Sequence, residues 1–256
     1  MITMRFATAL LALTITLGAY AQESPLMRFP ALNPDGTKVA FSWQGDIWVA
    51  SVAGGAALRL TIHESYESHP QWSPDGQRIA FQGNRYGNND IFVVGADGGT
   101  PQRLTWHSTS DRYPQWVDNE RLLFITDRLY GAVERESEVY TVSLRGETPT
   151  RMFDALAQHA TPYKGGQWIA YTTGECRFER EAYTGPANRN IWVYNQNTRQ
   201  YTSLAANDAQ DTQPDWAGGQ LFYLSATNGR YNVYRQAMTD AGACRGNPLP
   251  LRATKT

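Results

Sequence analysis

The chain has 256 residues with 23 basic and 24 acidic side chains, a net charge of −1 and a mean hydropathy of −0.50. That balance gives no general attraction to nucleic acid or anionic lipid, and past the amino terminus no apolar run approaches the roughly 18 residues that cross a bilayer. With 22 Gly, 13 Pro and 12% aromatic residues, the composition suits a protein of turns and strands.

Residues 1–21 come first. Arg5 precedes the apolar stretch "FATALLALTITLGA" and then Ala19-Tyr20-Ala21. A short basic start, an apolar segment too short to span and an A-x-A site read as a secretory signal peptide. The chain is therefore expected to be exported, periplasmic or secreted, with its body at 22–256.

From residue 26 the chain repeats itself. A Pro opens each unit, at Pro30, Pro70, Pro114, Pro162 and Pro214, with spacings of 40, 44, 48 and 52. Later in each unit stands a polar residue, then Ile or Val, then an aromatic: Asp46-Ile47-Trp48, Asp90-Ile91-Phe92, Glu138-Val139-Tyr140, Asn190-Ile191-Trp192 and Asn232-Val233-Tyr234. The first two units close on "LRLT" and "QRLT". The second unit divides into "HPQW", "RIAFQG", "DIFVVG" and "PQRLT", each rich in β-branched or aromatic residues and bounded by turn formers. Four strands in about 40 residues make one blade of a β-propeller. The fold class is all-β, with five legible blades at about 26–61, 69–105, 113–153, 161–204 and 213–254, expected to be part of a six-bladed ring.

"NPDG" and "SPDG" fall inside the first hairpin of blades one and two. Pro presets φ, Asp suits the second central position, and Gly takes the left-handed conformation that such a hairpin requires. Because later units replace them with Asp118-Asn119, Gly165-Gly166 and Gly218-Gly219, Asp35 and Asp75 read as turn residues, not catalytic carboxylates. The Trp and Tyr that recur once per blade read as wedges between sheets. The acid three positions before Pro (Glu67, Asp111, Asp211) is expected to hydrogen-bond the turn between blades, and its partner to contribute about 1 kcal/mol.

Chemistry is sought in what does not repeat. "HESYESH" at 63–69 lacks the i, i+4 histidines of a zinc helix, and the four histidines, at 63, 69, 107 and 159, show no convergence on a central channel. No catalytic residue, metal site or cofactor is expected. Between second and third strands, blade three inserts "DRLYGAVERES" and blade four "GECRFEREAYTGPANR". Glu134, Arg135 and Glu136 of the first, with Arg177, Glu179, Arg180, Glu181, Tyr183 and Arg189 of the second, are the candidate binding residues, since loops on a rigid scaffold carry recognition. The plain alternative is a solvated loop whose charges pair among themselves. Cys176 and Cys244 lie in loops of opposite faces, separated by roughly 17 Å if strands are about five residues long, too far for a disulfide.

The pattern "P-x-W-SPDG", "DI[WF]V", "RLT" resembles the propeller repeats of the TolB and tricorn protease families over residues 26–256. The fourth unit is most similar to the amino-terminal propeller of tricorn-type serine peptidases. This resemblance implies a non-catalytic segment whose partners are peptide substrates or other domains of a longer parent, the catalytic Ser and His lying in a domain with no matching position here. It implies six blades where five are legible. A TolB-like interaction module is the other reading, with no nucleic acid and no membrane span in either.

Overall fold

The computed structural model describes residues 26–129, 137–204, 208–239 and 244–251. They form five four-stranded antiparallel sheets, each built from consecutive strands in chain order, and no helix occurs among them. The first strands, Arg28–Leu32, Glu67–Trp72, Asp111–Trp116, His159–Tyr163 and Asp211–Ala217, pack side by side around a common axis. This is a five-bladed propeller arrangement.

Each inner blade is buried on both faces, so its second strand reads as a nearly continuous apolar run. In blade two, Ile79 and Phe81 face blade one, while Ala80 faces blade three with Ile91 and Val93. Burying a side chain of that size contributes about 1.5–3 kcal/mol. The recurrent Trp is a wedge with a polar anchor. Trp72 Nε1 donates to the Ala31 carbonyl (3.0 Å), Trp116 Nε1 to Gln71 (2.9 Å) and Trp216 Nε1 to Thr161 (3.3 Å), each in the preceding blade.

The "PDG" turns do what their chemistry dictates. Gly36 and Gly76 have φ of 72° and 69°, and their N–H groups donate to the carbonyls of Asn33 and Ser73, both at 2.9 Å. Asp75 Oδ1 accepts from Ser73 Oγ (2.5 Å) and Gln77 N–H (3.0 Å), bonds that hold its carboxyl below the usual carboxylate range.

Two of the repeated signatures prove to be parts of one device. Asp46 and Asp90, the polar residues opening the third strands, pair with Arg59 and Arg103 of the "RLT" segments. Thr61 and Thr105 of the same segments accept the N–H groups of Ile47 (2.9 Å) and Ile91 (3.0 Å). The acids before Pro have partners beyond the turn between blades, where Thr61 meets Glu67. Glu67 and Asp111 are the first residues of their strands, wholly buried, and they pair with Arg85 (2.5 Å) and Arg128 (2.7 Å) of the loops between second and third strands. They are buried ion pairs, with both acids fully buried and Arg85 and Arg128 only 14% and 11% exposed. Burial pushes Glu67 up, and it pushes Asp90 up to about 6 with a further contribution from Asp111.

Four inter-blade cores join the five blades: one to two, two to three, three to four and four to five. Among the described residues no comparable core joins blade five to blade one. Facing that seam, Leu32, Val233 and Leu249 are 63%, 39% and 54% exposed.

Candidate functional site

The first strands enclose a cavity of about 780 Å³ on the propeller axis, to which all five blades contribute. In blades one, two, three and five the residue before Pro adopts a left-handed backbone: Phe29 (φ 53°), His69 (55°), Tyr113 (54°) and Gln213 (52°). Strand pairing shifts at the same points. Pro offers no N–H to the ladder, and a bulge there turns the preceding side chain toward the axis. The bulge in blade three is held by Gln82 of blade two, whose Oε1 accepts the Tyr113 N–H at 2.9 Å. Blade four pairs without a shift, and the residue before its Pro162, Thr161, is buried in the sheet.

The wall is aromatic on one side. Phe29 stacks on His69 with ring centroids 3.7 Å apart, His69 meets the edge of Tyr113 at 4.8 Å, and Tyr113 lies 6.3 Å from His159. Two histidines therefore do converge on the channel, contrary to the sequence-based expectation. The reading failed because it placed the strands but not the bulges that aim His69 inward. The surrounding protein disfavours the imidazolium and lowers both histidines to about 4. At neutral pH the stack is uncharged. Ser68 Oγ lies 3.1 Å from His69 Nδ1, but Ser68 is buried in the sheet, and so it fixes the ring without offering an open nucleophile.

The rest of the lining is polar. Asp215 faces the channel and is raised by desolvation between its walls. Arg112 is bound by Asp127 through both carboxylate oxygens (2.9 and 2.8 Å). Arg189 gives Nε to the Cys176 carbonyl (2.7 Å) and Nη1 to Thr212 Oγ1 (3.4 Å). Among the described residues it has no carboxylate partner.

The sequence-derived binding residues are divided. Arg189 lines the channel. Glu179, Arg180, Glu181 and Tyr183 line a shallow open groove against Gly229 of blade five. Arg177 is exposed in the same loop, and Glu134, Arg135 and Glu136 lie outside the described residues. No ion pair links the charges of the blade-four loop among the described residues. Arg180 sits over the Tyr183 ring at 4.6 Å, and the loop is pinned by Gln210 Nε2 donating to the Tyr183 carbonyl (2.9 Å) and by Phe178 stacking on Tyr231 (4.4 Å). Cys176 is a buried free thiol. The "HESYESH" side chains point to three places: His63 Nδ1 accepts the Ser65 N–H (3.0 Å), Glu67 binds Arg85, and His69 enters the channel.

Sequence reasoning missed the channel, although a signal for it exists. In X-Pro-Z-Trp the Pro and Trp are structural, and X and Z face the axis: His69 and Gln71, Tyr113 and Gln115, Gln213 and Asp215.

Residues 24–244 match the family model described as the tricorn protease N-terminal beta propeller domain. Over 61 residues the chain is 39% identical to tricorn protease homolog 1 of Streptomyces coelicolor, a match covering 24% of this chain and 6% of that protein. Among solved structures, the tricorn protease aligns with a TM-score of 0.68 at 16% identity, over 86% of this chain and 22% of that one. TolB from Acinetobacter baumannii aligns with a TM-score of 0.64 at 18% identity, over 83% and 52%. At such identities these two structures share the fold.

Proposed function

The chain belongs to the family of tricorn protease N-terminal beta-propeller domains, and from that premise we propose that it is the non-catalytic propeller of an exported, tricorn-like serine peptidase. It guides or gates peptides on their way to a catalytic centre elsewhere in the parent protein. The observation that carries this reading is the axial cavity, lined from five blades with groups suited to holding a chain. First strands of five to seven residues give a passage of about 17–20 Å, the depth of about five or six extended residues at roughly 3.3 Å each.

The test uses the purified 256-residue chain with casein and with fluorogenic peptides. No product is released, peptides from digested casein are retained, and Gln115→Trp, which plugs the passage, abolishes retention. Turnover by the chain itself, or retention indifferent to the plug, would refute the reading. A second reading, a TolB-like periplasmic interaction module, draws on the face that carries the interblade connections and the loops between second and third strands. Ile62, Tyr86, Trp106 and Leu129 are 77%, 62%, 58% and 57% exposed there, and a protein partner docked on that face would be unaffected by the plug.

A further inference from the structure

Three observations on the channel wall point the same way. The first is the run of uncharged rings Phe29, His69 and Tyr113, each partly open to the cavity. The second is a set of four carboxamides, Gln71, Gln115, Gln158 and Gln213, that line the same cavity. Their side chains make no hydrogen bond to any described residue, whereas the nearby Gln82 and Gln210 carboxamides are engaged. The third is the backbone. Three ring-bearing residues and one glutamine on this wall hold left-handed conformations, and strained conformations of this kind gather at ligand clamps.

A carboxamide presents two N–H donors beside a carbonyl acceptor, the same pair of functions that a peptide bond displays. Four of them in one passage match an extended main chain, which exposes donors and acceptors alternately along its length. Flat uncharged rings, in turn, gain from offset or edge contact with another flat ring beyond the area they bury. Resting on the reading of the cavity as a peptide passage, we propose that it is selective: it holds an extended segment bearing an aromatic side chain, with that ring against Phe29, His69 and Tyr113 and the main-chain amides bonded to Gln71 and Gln115.

The test is calorimetric titration of the full chain at pH 7.5 with end-capped pentapeptides Gly-Gly-Xaa-Gly-Gly, where Xaa is Trp, Phe, Leu or Glu. The Trp and Phe peptides bind about three- to tenfold tighter than the Leu peptide, and the Glu peptide binds no tighter than Leu. Tyr113→Leu removes the ring preference and keeps the binding of the Leu peptide. Gln71→Leu with Gln115→Leu weakens every peptide by roughly tenfold or more, since each lost pair leaves a peptide group without a partner. Phe29→Leu, at a different blade, reads the same preference should Tyr113→Leu not fold. Equal binding of Trp and Leu peptides overturns the selectivity and leaves the guiding role standing. Binding of a hexasaccharide such as maltohexaose with none of any pentapeptide overturns both and makes the channel a glycan site. Failure to bind pentapeptides or digested casein overturns both as well.

Discussion

Replacing Arg85 by Met tests the claim that the blades are locked by buried ion pairs. Glu67 is wholly buried, Arg85 is 14% exposed, and their closest N–O distance is 2.5 Å. Removing only the cation leaves a carboxylate that burial already raises, with Asp46 adding repulsion. The cost of orphaning one member of a buried pair is about 3–5 kcal/mol, a large part of the 5–15 kcal/mol by which domains are stable. For a chain of this size it lowers the melting temperature by roughly 6–20 °C. The sign of the pH effect is fixed. An acid whose folded pKa lies above its unfolded value binds more protons when folded, so stability falls as pH rises through that window. Losing Arg85 raises Glu67 further, and the deficit is therefore smaller at pH 5 than at pH 7.5. The assay is urea unfolding at both pH values for wild type, Arg85→Met, Glu67→Gln and the double variant, the double variant regaining most of the loss. A single-variant deficit under about 1 kcal/mol, or one equal at both pH values, would refute the reasoning.

Trp116→Phe removes the Nε1 bond to the Gln71 carbonyl and leaves that carbonyl short of a donor, costing about 1–2 kcal/mol by denaturant unfolding; no measurable loss would mean the Trp is only a filler. His159, lowered from 6.5 to about 4, binds its proton on unfolding, so it removes stability as pH falls from about 6.5 toward 4. With the open channel screening the effect, His159→Gln flattens this acid limb by at most about 2 kcal/mol, and an unchanged limb in thermal melts from pH 4 to 7 would show that the ring charges freely. The apolar side chains at the seam between blades one and five make the chain self-associate as concentration rises, because each such side chain contributes about 1.5–3 kcal/mol when covered. Leu32→Glu with Leu249→Glu shifts the light-scattering mass toward the monomer, and a monomer at all concentrations before substitution would show the seam to be already satisfied.

The fold was legible because it rests on demands that recur in each blade. A hairpin needs a turn, so Asp75-Gly76 and Gly165-Gly166 stand at corresponding places, and a sheet buried on both faces needs apolar runs such as "RIAF". The ion pairs were half legible. Asp90 and Arg103 were visible as signatures, but nothing in their spacing tells that the fourth strand lays the Arg against the Asp of the third. Glu67 and Arg85 were harder still, since one opens the first strand and the other sits in the loop between the second and third. The sequence showed five blades but not the seam between the first and the last, which the structure places at faces carrying Leu32, Val233 and Leu249.

The site was illegible for a related reason. The repeat carries more than scaffold, because its inconstant positions supply the lining of the channel. In X-Pro-Z-Trp the constant residues make the bulge and the wedge, while the inconstant ones face the axis because the constant ones turn them there. Phe29, His69 and Tyr113 differ in type yet share one backbone conformation, with φ between 53° and 55°. Position fixes where these side chains go, and their variation gives the channel both aromatic and polar lining. A ring of identical residues would make a uniform pore, whereas four unlike residues at equivalent positions, Phe29, His69, Tyr113 and Gln213, make an uneven wall.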